Sequence, residues 1–61
     1  MTKVKVTYSE NTPIKQKIYY DVHRVQMYPD GTITVLYWDH VREIMEVAII
    51  KSRYYYEIEI F

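Results

Sequence analysis

The amino-acid sequence predicts a mainly β fold: one small β domain over residues 1–61, an antiparallel sheet or small barrel of about five strands, with a short helical turn near residues 46–52. Three observations carry this expectation. Apolar and polar residues alternate with a period of two over several stretches, the pattern of half-buried strands. "YPDGT", residues 28–32, has the composition of a hairpin turn. The chain is also rich in ring-bearing residues that strands favour, with eight tyrosines, Trp38 and Phe61.

The elements follow in order. From residue 2 to residue 8, Val4, Val6 and Tyr8 alternate with Lys3, Lys5 and Thr7, which reads as a strand with a solvated lysine face. "SENTP", residues 9–13, gathers turn-favouring residues and ends on a proline, so it reads as a loop. Residues 15–28 read as one long strand whose parity changes partway. Ile18, Tyr20 and Val22 occupy even positions, while Val25 and Met27 occupy odd ones. Both sets reach the core only if an extra residue is inserted near His23 and Arg24, the trace of a β-bulge.

In the hairpin, Pro29 presets φ for the first turn position, Asp30 suits the second and Gly31 supplies positive φ. Residues 32–38 return as a strand with Ile33, Val35 and Tyr37 on one face and Thr34, Leu36 and Trp38 on the other. Bulk on both faces implies a strand that is covered twice or that contributes to an interface.

Residues 39–52 leave two readings. Val41, Ile44, Met45, Ala48 and Ile49 match a helical stripe with Asp39 as N-cap. The dominance of Val and Ile, with Val47 and Ile50 off that stripe, favours a strand near residues 41–45 followed by the helical turn. The last strand is expected over residues 53–61. In "SRYYYEIEIF", residues 52–61, Tyr54, Tyr56, Ile58 and Ile60 then share the core face, and Tyr55, Glu57 and Glu59 point outward.

A chain of 61 residues buries only roughly 60% of its unfolded surface, so its core is thin. Without cysteine there is no disulfide framework and no thiolate metal site, which leaves dense aromatic packing or self-association as the means of stabilisation. The lack of cysteine fits a reducing cytoplasm. The opening "MTKVKVTYSE" has no apolar leader core and no run approaches the ~18 residues of a spanning helix, so the expectation is a mature cytoplasmic protein with no membrane partner.

Net charge is zero, yet residues 1–28 hold five basic against two acidic residues, net +3, and residues 29–61 hold three against six, net −3. Compensation between paired strands accounts for this, and head-to-tail contact between copies is the sharper alternative. Duplex DNA is not an expected partner, because a binding face for it normally needs an excess of basic charge.

Catalytic chemistry finds little footing. Ser9 and Ser52 lie in no glycine-flanked elbow, and the single glycine is committed to the hairpin, which also excludes a phosphate loop. His23 and His40 with Asp21 and Asp39 are too few and too ordinary in spacing to define a metal site. Glu57 and Glu59 read as a solvated strand face. The expectation is a protein that is not an enzyme and has no cofactor.

The aromatic surplus is more informative. Tyr19 and Tyr55 are expected to face away from the core, near Arg24 and Arg53, with Trp38 at a strand end. Tyrosine's general liking for strands accounts for any one of them. Together, rings beside arginines can stack a base and grip an anionic group, so Tyr19, Arg24, Trp38, Arg53 and Tyr55 form the candidate ligand site. The same residue types suit a protein interface, and a homo-oligomer is expected.

The run "DVHRVQMYPDGTITVLYWDHVREI", residues 21–44, resembles a pattern in small phage-encoded all-β proteins of the anti-defence type: paired valines, an aromatic, Asp-Gly, an alternating strand and an acidic turn. The resemblance implies a compact sheet or SH3-like barrel. It also implies interference with bacterial defence, by sequestering a nucleotide-like signalling molecule or by binding a host defence protein. Single-stranded nucleic-acid binding is a third expectation.

Overall fold

The computed structural model describes residues 2–9 and 13–61. The strands are β1 (Thr2–Tyr8), β2 (Gln16–Met27), β3 (Ile33–Asp39), β4 (Ile44–Ile50) and β5 (Tyr55–Ile60), with a 3-10 turn at Ser52–Tyr54 before the last. The expected mainly β chain of about five antiparallel strands is thus present. The five form one sheet in the order β4-β3-β2-β1-β5, with β4 and β5 as its two edges. The expected loop over residues 9–13 falls largely on 10–12, outside the described residues.

The sheet curls toward one face. The Tyr55 hydroxyl, at the start of β5, donates to the Gly31 carbonyl in the β2–β3 turn at 2.6 Å. The 3-10 turn presses on the same hairpin, since a Cβ added to Gly31 would lie 2.8 Å from the Ser52 Cβ. Inside the curve lie Val4, Val6, Tyr19, Val22, Ile33, Val35 and Ile50, drawn from four strands. Tyr8, Tyr37, Tyr55 and Ile58 pack around them. This core matches the alternation in β1 and in the first half of β3, where position parity is enough to sort inside from outside.

The hairpin forms as its residues require. Gly31 adopts φ +89°, its N–H donates to the Tyr28 carbonyl at 2.9 Å, and the Thr32 N–H donates to Asp30 Oδ1 at 2.9 Å. The Thr32 backbone N–H holds the Asp30 carboxyl below the usual carboxylate range.

Bulges decide the other facings. The β2–β3 register shifts between Val22 and Arg24, which is the bulge expected near His23. A second shift sits on the other side of β2, where Thr2 pairs Val22 but Val4 pairs Tyr19. One extra β2 residue is absorbed there, and Asp21 takes φ +51°. The expectation for Tyr19 is therefore corrected: it faces the core at 6% exposure, while Ile18 and Tyr20 face outward.

β5 needs the same kind of correction. Thr7 pairs Glu57 but Tyr8 pairs Tyr55, so Tyr56 is the extra residue of a bulge. Tyr55 turns inward with Ile58, and Tyr56 is 71% exposed. Tyr54 belongs to the 3-10 turn and is exposed as well. The inward assignment of Tyr54 and Tyr56 and the outward assignment of Tyr55 are both reversed.

Between residues 39 and 52 the chain is a strand, placed later than expected. Asp39 does act as a cap: its Oδ1 accepts from the N–H groups of Val41 at 2.9 Å and Arg42 at 3.2 Å. The Glu43 N–H then closes on the Asp39 carbonyl at 2.8 Å. Only one turn forms, because Glu43 enters the left-handed region at φ +57° and sends the chain back as β4. The helical turn lies at Ser52–Tyr54 rather than near residues 46–52.

Charge compensation between strands is visible where Lys5 on β1 reaches Glu59 on its β5 partner position at 3.9 Å. Among the described residues, no helix is long and apolar enough to cross a membrane.

Candidate functional site

The outer face of β2, β3 and β4 is built by the β3–β4 register, which has no shift, and by the part of the β2–β3 register that follows the bulge. Across β3–β4, Thr34 pairs Ile49, Leu36 pairs Val47 and Trp38 pairs Met45. Across β2–β3, Arg24 pairs Leu36 and Gln26 pairs Thr34. Because their β3 neighbours Ile33 and Val35 are buried inside, the alternate set Thr34, Leu36 and Trp38 points out. Val47 and Ile49 stand beside that row with 56% and 64% of their surface exposed.

Two depressions cross this face. One of about 360 Å3 lies between Arg24, Leu36 and Val47. Another of about 500 Å3 lies between Pro29, Thr32 and Lys51. Both are lined by Tyr28, Thr34 and Ile49, so they run together as one groove. Its floor is largely apolar; Arg24 lies toward one end, and Lys51 lies toward the other with the Asp30 carboxylate near it. The Tyr28 hydroxyl donates to Gln26 Oε1 at 3.4 Å, a long contact on the same face.

A smaller cleft of about 290 Å3 opens at the other end of β3, where Lys17, Tyr19, Tyr20, Trp38 and His40 meet. Trp38 is half-buried and edge-on to the His40 ring, with centroids 6.5 Å apart at 83°. His40 Nε2 contacts Asp21 Oδ2. The Lys17 ammonium lies 4.9 Å from the Tyr19 ring centroid, and Lys3 lies 5.5 Å from that of Tyr20.

The expected ligand residues are dispersed by this arrangement. Trp38 and Tyr19 share the small cleft, and Arg24 lines the outer groove. Arg53 lies over the Tyr54 ring at 4.8 Å on the 3-10 turn. Tyr55 is bonded to Gly31. Tyr19 packs against Tyr37 with ring centroids 5.0 Å apart. Burial first, then a hydrogen bond with Tyr8 and the nearby Tyr8 and Tyr37 hydroxyls, push the Tyr19 hydroxyl well above the ordinary tyrosine value.

Sequence reasoning missed Tyr28, Met45, Val47 and Ile49 as surface residues of interest. A signal was present: β3 carries bulk on both faces, and "IMEVAII" holds a single charge in seven residues. Among the described residues, no three of His, Cys, Asp and Glu gather as metal ligands. Fold and surface together define a small antiparallel β domain with a groove across its outer face. Comparison of the chain with protein-family models, curated proteins and solved structures found no match.

Proposed function

We propose that this chain is a non-enzymatic binding protein that offers the outer face of β2, β3 and β4 to another protein. The carrying observation is the pair Val47 and Ile49, both more than half exposed beside Leu36 and Tyr28 in one apolar groove. Burying a Val or Ile side chain is worth about 1.5–3 kcal/mol relative to leaving it in water, so covering this row supplies a driving force for docking. Arg24 and Lys51 supply the polar rim that orients a partner. The resemblance of residues 21–44 to phage-encoded anti-defence proteins supports a bacterial defence protein in the cytoplasm as the partner.

Affinity capture from bacterial lysate, with cross-links mapped by mass spectrometry, tests this. A stoichiometric partner should be held by the wild type and by Tyr56→Ala, cross-link to residues of the groove, and be lost with Ile49→Glu. A partner held equally by Ile49→Glu counts against the reading.

The small cleft favours a second reading, capture of a nucleotide-like ligand, because Lys17, the exposed Tyr20 and the half-buried Trp38 line it together. Trp38 is the sole tryptophan and reports on the cleft directly. Quenching of its fluorescence by a nucleotide, lost in Lys17→Ala, supports this reading. An unchanged spectrum and melting temperature across a nucleotide panel refute it.

A further inference from the structure

The two edges of the sheet are unlike. β5 alternates Glu57 and Glu59 with apolar residues, and a bulge at Tyr56 interrupts its pairing with β1. Charged residues and bulges of this kind protect an edge from joining another strand. β4 has no bulge and a single charge. It is seven residues long, contains no lysine or proline, and its pairing with β3 is the one ladder of the sheet without a register shift among the described residues. That charge, Glu46, is paired within the chain with Arg42 at 3.1 Å.

Resting on the reading of this side of the sheet as a protein-docking surface, we infer that the β4 edge pairs antiparallel with β4 of a second copy. The two-fold axis passes through Val47. Register selects that axis. With Val47 opposite itself, all seven residues pair, and Ile44 meets Ile50, Met45 meets Ile49 and Glu46 meets Ala48 of the second copy. Moving the axis by one residue to Glu46 or Ala48 leaves five of the seven paired. The Glu46 axis also sets two like charges face to face, which is destabilising. About Val47, the exposed side chains of Met45, Val47 and Ile49 from both copies form one apolar row along the joined outer face. The result is a ten-stranded sheet with two grooves flanking the axis.

Area sets the strength. A standard interface covers about 800 Å2 per partner, roughly a sixth of the 4564 Å2 surface of this chain. One strand edge with its flanking side chains covers less than that, so the dimer should dissociate with a constant on the order of micromolar.

The absence of cysteine makes single-cysteine variants clean probes of the register. Directly opposed residues in an antiparallel pair have Cα atoms about 4.5–5.5 Å apart, within the span a disulfide bridges. Under mild oxidation Val47→Cys should therefore cross-link to its own copy. Met45→Cys and Ile49→Cys should each fail to cross-link alone, because each lies about 13 Å along the strand from its own counterpart. Mixed together, those two should give the 45–49 heterodimer. Light scattering of the wild type across a concentration series should show monomer converting to dimer.

The inference is overturned if Val47→Cys remains a free thiol at about a hundred times the micromolar dissociation constant expected from the area, if all three variants oxidise at equal rates, or if the wild type stays monomeric throughout. A monomeric wild type whose partner is lost with Ile49→Glu removes self-pairing and leaves partner docking intact. A Val47-centred dimer whose captured partner survives Ile49→Glu removes docking on the groove and leaves self-pairing intact.

Discussion

Truncating Tyr55 and Tyr56 in turn probes the facing of β5, where neighbouring tyrosines have opposite roles. The Tyr55 ring is half-buried against the core, and its hydroxyl donates to the Gly31 carbonyl at 2.6 Å. A fully buried aromatic costs about 3–5 kcal/mol when cut to alanine, so half burial corresponds to about 2 kcal/mol. The lost hydrogen bond adds about 1 kcal/mol. Tyr55→Ala is therefore expected to destabilise by about 3 kcal/mol. Tyr56, 71% exposed on its bulge, should cost no more than about 0.5 kcal/mol. A chain of this length has a total stability of roughly 3–9 kcal/mol, so Tyr55→Ala stands close to unfolding. Tyr55→Phe gives a graded reading, since it deletes only the hydroxyl, at about 1 kcal/mol. Urea denaturation followed by Trp38 fluorescence measures all three, with the slope m showing whether the unfolded reference is unchanged. Equal losses from Tyr55→Ala and Tyr56→Ala would refute the bulge, and a neutral Tyr55→Phe would refute the bond to Gly31.

Two further outcomes follow from the packing. Gly31→Ala should lose more than about 1 kcal/mol, because φ is +89° and the new Cβ meets the Ser52 Cβ at 2.8 Å. In a domain of this size that is a fall of about 4–8 °C or more in melting temperature, and an unchanged value would place the 3-10 turn away from the hairpin. Tyr19 links stability to alkaline pH. Burial, ahead of its bond with Tyr8, favours the neutral hydroxyl. The contribution is thus fully present below the ordinary tyrosine value of about 10 and drains away as pH rises above it toward the higher folded value. Urea midpoints at pH 8 and pH 11 should differ less for Tyr19→Phe than for the wild type; an equal loss would separate this hydroxyl from the effect.

Local patterns were legible in the sequence wherever one turn or one alternating run settles the backbone. The facing of Val4 and Val6, the Gly31 turn, and the split of Ile33 and Val35 from Thr34 and Leu36 belong to that group. So does the bulge near His23, because a parity change among Ile18 to Met27 has no other cheap explanation. Of the candidate site, Trp38 was legible on the face opposite Ile33 and Val35 and Arg24 only as a neighbour of the bulge, while Val47 and Ile49 fell where a full helix and a strand followed by a helical turn stayed as two readings. The left-handed turn at Glu43 resolves that ambiguity, and nothing in the residue types around it requires that conformation.

Tertiary structure decided the rest by choosing which strands are neighbours. An extra residue opposite a given partner reverses the facing of everything beyond it. The shift against Thr2 and Val4 therefore sends Tyr19 inward and Tyr20 outward, and the shift against Thr7 and Tyr8 does the same to Tyr55 and Tyr56. That β4 is an edge is likewise a property of the whole sheet order. Composition determined that a chain this small would carry more rings and branched side chains than one curled sheet can enclose. Pairing, a relation between distant segments, determined which of them remain in contact with water.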